Sequence, residues 1–196
     1  MRENVSLEAG DALLIVDVQN DFLPGGRLAV SNGDEVIPVL NNYIKLFEKN
    51  DLLIFASRDW HPADHCSFSI NGGIWPSHCV QDTPGAKFAS TLQLTPQTIV
   101  ISKADKKECD AYSAFQGTIL RELLQEAEVN RLFVGGLATD YCVLSTTLDA
   151  MQAGYQVFVL TDAIRAVELS EGDGKRAILS MKEHGAKTLT ITAMNS

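Results

Sequence analysis

Six short runs in this chain are apolar almost without a break: ALLIVDV (12–18), LLIFASRD (52–59), TIVISK (98–103), RLFVGGL (131–137), QVFVLTDA (156–163) and TLTIT (188–192). A strand with one wet face alternates apolar and polar residues. A continuous, β-branched-rich run instead fits a strand buried on both faces, which is the situation of a parallel sheet covered by helices. Helical periodicity fills the gaps, in DEVIPVLNNYIKLFEKND (34–51), GTILRELLQEAEVN (117–130), CVLSTTLDAMQAG (142–154) and GDGKRAILSMKEHGA (172–186). The last two stop near Gly154 and Gly185, where left-handed C-terminal caps are expected. The pattern predicts an α/β chain: a three-layer α/β/α sandwich on a six-stranded, mainly parallel sheet. With 196 residues, one domain over 1–196 is the expectation. The long irregular stretch, roughly 60–97, is rich in His, Pro, Gly and Ser, and loops of that length inside compact domains are usually functional or mobile.

Composition narrows the partners. A net charge of -9 leaves no basic stripe for a phosphate backbone or an anionic membrane, so neither nucleic acid nor membrane is expected. The start MRENVSLEAGD has no apolar signal core, and no run approaches the roughly 20 residues that span a bilayer. A cytoplasmic location is expected. The four cysteines, Cys66, Cys79, Cys109 and Cys142, are widely spaced with no CxxC pair. Reduced thiols follow, each of them a small packed residue, a metal ligand or a nucleophile.

In open parallel sheets ligands bind at the carboxyl ends of the strands. The first run ends at Asp17, the second at Asp59 with His61 just beyond, the third at Lys103, and the fourth leads through ATDYC to Cys142. Singly, each has a plain reading: a cap, a turn former, a surface lysine, a packed thiol. Four reactive groups at four equivalent topological positions ask for more. A cysteine at a helix start, beside an ammonium, is expected to have a lowered pKa. Asp17 can then carry the thiol proton to a leaving group. The amides of Ala138 and Cys142, at the tight GGLAT turn, can form an oxyanion hole. In SRDWHPADHCSF and WPSHC, Asp59, His61, His65 and His78 are a ligand set for zinc, iron or manganese, with Cys66 and Cys79 as softer alternatives. Residues two apart on an extended end, such as Asp59 and His61, point the same way.

The stretches LLIVDVQNDFLPGGRLAV, ASRDWHP, WPSHCVQDTPGA, SKADKKECDAYSAF and GGLATDYCVLSTTLDAMQAGYQVFVLTDAIRAV together resemble the nicotinamidase (pyrazinamidase) branch of the isochorismatase-like cysteine hydrolases, over nearly the whole chain. That resemblance implies a triad of Asp17, Lys103 and Cys142, and one divalent metal, zinc first with iron or manganese as alternatives, on Asp59, His61 and His78. His65 is a further candidate ligand. It also implies a cis peptide at Leu137–Ala138, an oxyanion hole at Ala138 and Cys142, and a pyridine ring held by Phe22, Trp75 and Tyr112. The implied reaction converts nicotinamide to nicotinate and ammonia through a cysteine thioester, in NAD salvage, with pyrazinamide as a second substrate. Relatives often self-associate, so a homo-oligomer is in view.

Three other readings stand beside it. A metal-free relative would act on isochorismate, an N-carbamoyl compound or another small amide, but has no need of the DWH and WPSHC pair. A non-catalytic binding domain of the same fold has no need of Asp17, Lys103 and Cys142. An aspartyl phosphatase would need D-x-D spacing, whereas Asp17 and Asp21 lie four apart.

Overall fold

The computed structural model describes residues 4–194. Its strands are β1 (Asp11–Val16), β2 (Leu53–Asp59), β3 (Ile99–Lys103), β4 (Arg131–Leu137), β5 (Gln156–Arg165) and β6 (Lys187–Leu189), and its helices α1 (Val36–Lys49), α2 (Leu120–Glu126), α3 (Leu144–Gln152) and α4 (Asp173–Glu183). The six strands form one sheet in the order β3-β2-β1-β4-β5-β6. Every neighbouring pair is parallel, where the sequence pointed to a mainly parallel sheet.

The continuous apolar runs are explained by burial on both sides. Successive strand residues face opposite ways. Leu13, Ile15 and Phe133 pack with Leu40, Tyr43, Ile44 and Phe47 of α1, while Ala12, Leu14, Val16, Leu132 and Val134 meet Leu120, Leu124, Ala150 and Met181 of α2, α3 and α4. All six β1 residues are buried. Phe133 stacks on Phe158 at 4.7 Å between centroids and meets Phe47 edge-on at 5.2 Å, pairs worth about 0.5–1.5 kcal/mol each beyond their buried area. Among the described residues, no helix is long and apolar enough to cross a membrane.

The expected caps are present. Gly154 and Gly185 take left-handed φ values of 97° and 108°. The amides that follow them, of Tyr155 and Ala186, reach back to the carbonyls of Ala150 and Met181, the bonding of a Schellman turn. Three elements depart from the sequence reading. The 117–130 segment is helical only over Leu120–Glu126, because Gly117 and Glu128 have positive φ and the Thr118 hydroxyl bonds locally, to the Ala114 carbonyl at 2.6 Å. The last strand stops at Leu189 and gives way to a short 3-10 turn at Ile191–Ala193. The helix expected to open at Cys142 begins earlier, in a π-helical turn over Thr139–Val143, so Cys142 lies within the first turn.

Candidate active site

Strand register brings the polar ends together. Asp59 and Lys103 are paired across β2 and β3. Val16 is paired with Ser57 on one side and Gly136 on the other, so Asp17, next along the chain, stands at the middle of the carboxyl edge. Its φ of 49° turns the backbone out of the strand. Gly136, with φ 121°, lies so close to β1 that a Cβ there would collide with the backbone of Val16. A side chain is excluded at that position, as the GGLAT sequence suggested.

The Lys103 ammonium is the hub. It lies 2.5 Å from Asp59 Oδ1, 3.0 Å from Asp17 Oδ2, 3.1 Å from the Ala111 carbonyl and 3.5 Å from Cys142 Sγ. Ser57 donates to Asp17 Oδ1 at 2.7 Å. Asp17 Oδ2 is in ionic contact with the ammonium but accepts no well-aligned hydrogen bond. It is therefore the carboxylate oxygen open to a proton.

The two carboxylates on this ammonium are pushed apart. Burial raises Asp17 above the usual carboxylate range, against the pull of Lys103, and the neighbouring Asp59 charge adds to the rise. Burial acts on Asp59 too, but Lys103, His61 and His78 outweigh it and hold that carboxyl well below the range. Such divergence separates a proton carrier from a permanent anion. Burial pulls Lys103 down, yet Asp17, Asp59 and Cys142 together hold it well above its ordinary value. The Cys142 thiol is raised, not lowered as the sequence suggested: burial dominates, and Asp17 and Asp59 offset the ammonium. Burial thus favours the neutral form of the Cys142 thiol and, in the same sense, of the Asp17 carboxyl.

Next to this cluster, Asp59, His61 and His78 bring one ligand atom each within 4.8 Å of the others, all three buried. Lys103 takes Oδ1 of Asp59, leaving Oδ2 at 3.7 Å and 4.0 Å from the Nε2 atoms of His61 and His78. Both imidazoles engage Nδ1 with a backbone carbonyl, of Ala104 at 3.2 Å and Pro76 at 2.7 Å. That fixes the proton on Nδ1 and turns both Nε2 lone pairs inward, the outer bonding that metal-ligating histidines show. Burial also lowers His78, favouring the neutral ring that ligates. The donor set fits a divalent transition metal with open positions.

His65 is not brought into that set. Its Nδ1 lies 2.8 Å from Ser67 Oγ and its Nε2 3.1 Å from the Cys109 carbonyl, so neither nitrogen is directed at the other donors. Its ring lies against His61 at 4.2 Å. Cys66 and Cys79 are outside the set as well, and burial raises both thiols. A second grouping of Asp17, Asp59 and Cys142 already surrounds a cation, the Lys103 ammonium.

Above these groups opens a cavity with about 470 Å³ of empty space, mouth included, lined by Phe22, Trp75, Tyr112, Tyr141, Ala138, Cys142 and the three metal-site residues among others. Trp75 Nε1 donates to Tyr112 Oη at 2.9 Å and meets Tyr141 edge-on at 5.1 Å between centroids. The Leu137–Ala138 peptide is cis. Both Val143 and Tyr141 donate to the Ala138 carbonyl, at 3.0 Å and 3.1 Å, which closes the turn that carries Cys142.

Four residues that the sequence reading did not assign complete the site. Gln19, fully buried, clasps Asp59 from both sides, donating to its carbonyl and accepting its amide, each at 2.8 Å. Asp21 accepts the Cys79 amide at 2.7 Å, fixing the backbone beside His78. Ser57 orients Asp17, and Tyr141 adds a fourth aromatic wall. The signal for the first two was present in VDVQNDF, polar residues packed directly behind a buried strand end.

Residues 11–193 match the isochorismatase domain. The chain is 40% identical over 201 residues to a nicotinamidase of Escherichia coli, covering 92% of this chain and 94% of that protein. A pyrazinamidase of Pyrococcus horikoshii, solved in complex with zinc, superposes with a TM-score of 0.90 at 44% identity, over 93% of this chain and 99% of that one. An L. infantum protein in complex with nicotinate superposes with a TM-score of 0.91 at 34% identity, over 98% of both chains. From the first strand to the last turn described, and not merely at one motif, this chain belongs to the isochorismatase family.

Proposed function

We propose that this protein is a metal-dependent nicotinamidase, which hydrolyses nicotinamide to nicotinate and ammonia by nucleophilic catalysis at Cys142 and so serves NAD salvage. Pyrazinamide is the second substrate. The observation that carries the reading is the buried Lys103 ammonium, in contact at once with Asp17, Asp59 and Cys142. It joins a nucleophile and its proton carrier to a metal ligand in one site. The similarity to proteins named as nicotinamidase and pyrazinamidase supports the substrate class.

The amide carbon comes to Cys142 Sγ with its ring between Phe22, Trp75 and Tyr112, whose faces suit an electron-poor heterocycle. Asp17 Oδ2 takes the thiol proton as sulfur attacks, while the amides of Ala138 and Cys142 receive the negative charge on the former carbonyl oxygen. Asp17 returns the proton to nitrogen, the carbon–nitrogen bond breaks, and ammonia leaves a thioester. Water then attacks the thioester, giving a proton to Asp17. The carbon–sulfur bond breaks, and the proton returns to the thiolate. Throughout, Lys103 keeps both carboxylates and the sulfur in register. Zinc is the proposed ion, held by Asp59, His61 and His78, and when bound it supplies a Lewis acid at the cavity wall.

Ammonia release from nicotinamide, pyrazinamide and benzamide, with metal analysis of the same sample, tests this. The expected result is turnover of both heterocyclic amides and bound metal near one per chain. Turnover of none of them would sink the reading.

A further inference from the structure

Asp140 lies two residues before the nucleophilic thiol, yet its carboxylate bonds elsewhere. Oδ1 accepts the Val167 amide at 2.9 Å and Oδ2 the Glu168 amide at 3.0 Å. These amides belong to the segment between β5 and α4, residues 166–172, which has neither helix nor strand of its own. Glu168 continues the connection: its carboxylate accepts the amides of Gly172 and Gly174 at 2.7 Å and 2.9 Å, at the start of α4. Two carboxylates in series thus join the turn carrying Cys142 to the loop and the loop to its helix. Val167, held at the middle of this chain of bonds, lines the cavity together with Phe22, Leu28 and Cys142. Asp140 itself does not line it.

We infer that Asp140 is a positioning residue that fastens the 166–172 segment to the nucleophile's own turn, so that Val167 closes the cavity wall and limits the bulk of the amide admitted. The inference rests on the amidase reading above. It accounts for the residue type, because only a carboxylate offers two acceptor oxygens to two successive amides. Asparagine keeps one acceptor and sets an N–H₂ group against the other N–H.

The test uses the metal-loaded enzyme and steady-state kinetics on nicotinamide and on quinoline-3-carboxamide, which adds a fused ring. Losing two charge-assisted bonds from the wall, Asp140→Ala is expected to raise KM for nicotinamide about tenfold with kcat within about twofold, a loss of uniform binding. Its preference for nicotinamide over the quinoline amide falls, as it does in Val167→Ala, and combining the two substitutions brings no further fall. Asp140→Asn, which conserves shape, gives the same changes at about threefold and carries the measurement should the alanine variant not fold. In a parallel measurement, hydrogen exchange over 166–172 quickens in both Asp140 variants while 139–143 stays as in wild type. A lowered kcat with KM and selectivity unchanged, or unaltered exchange at the loop, would overturn the inference. If wild type hydrolyses no amide, the functional reading fails, and the exchange data still decide whether the fastening exists.

Discussion

Replacing Lys103 with methionine separates what the ammonium does for the fold from what it does for the reaction. The side chain is 1% exposed and its charge is shared by Asp17 at 3.0 Å and Asp59 at 2.5 Å. Methionine fills similar volume, so the cavity contribution is small. What remains is two buried carboxylates without their cation, and breaking a buried pair from one side costs about 3–5 kcal/mol. For a chain of this size each kcal/mol shifts Tm by about 2–4 °C, so a fall of roughly 6–20 °C is expected by circular dichroism. Asp17 already has a folded-state pKa raised above its ordinary value, and removing the ammonium raises it further. A raised carboxylate contributes stability that is full at low pH and is lost as pH rises through the folded value. Lys103→Met is therefore expected to regain part of its lost stability between pH 7 and pH 5, relative to wild type. Adding Asp17→Asn removes one of the unpaired charges and recovers part of the Tm at neutral pH, but ammonia release stays absent because the proton carrier is gone. Wild-type Tm and turnover in Lys103→Met would refute the argument. So would a double variant no more stable than the single one.

Cys142→Ala is expected to lower ammonia release at least about a thousandfold while keeping nicotinate binding by calorimetry, since the aromatic walls and metal-site residues are untouched. Persistent turnover would remove the thiol from the chemistry. Chelation, or His61→Ala or His78→Ala, is expected to take bound metal below one per chain and turnover with it; full turnover in metal-free protein would contradict the assignment. Tyr43, buried and donating to Asp162 at 3.0 Å, has its phenol pushed well above the ordinary value by burial and by that carboxylate. The unfolded chain then loses a proton above about pH 10 that the folded chain keeps, so stability falls with rising pH there, by up to about 1.4 kcal/mol per pH unit. Denaturant melts from pH 8 to pH 11 should show a shallower alkaline fall in Tyr43→Phe, and equal slopes would dismiss this origin.

The sheet was legible because its strands are buried on both sides, a condition that leaves its mark in six uninterrupted apolar runs. Asp17, Asp59, Lys103 and Cys142 were legible as a group because parallel strands deliver their last residues to one edge. Less visible were interactions that depend on which backbone atom a side chain reaches. Gln19 and Asp140 are ordinary polar residues in sequence, and only the fold shows that they grip the Asp59 backbone and the 166–172 segment. The state of the Cys142 thiol was misread for a related reason. Helix position and a nearby lysine can be read locally, whereas burial and two converging carboxylates come from elements distant in the chain. His65 shows the same limit, since its sequence position beside His61 says nothing of the Ser67 hydroxyl and Cys109 carbonyl that engage it.

The bare contact between Gly136 and Val16 means that the spacing of carboxylate and thiol is a main-chain dimension. Asp17 follows one of these two residues directly, and Cys142 lies six positions beyond the other. At that rung no side chain stands between β1 and β4. Substitutions in the layers above and below alter how helices seat on the sheet, but they do not insert between the two strands there. The working distance is thus insulated from ordinary drift in core volume. Its vulnerability is concentrated at one backbone position, where a single added methyl group would reach Asp17 through the chain itself.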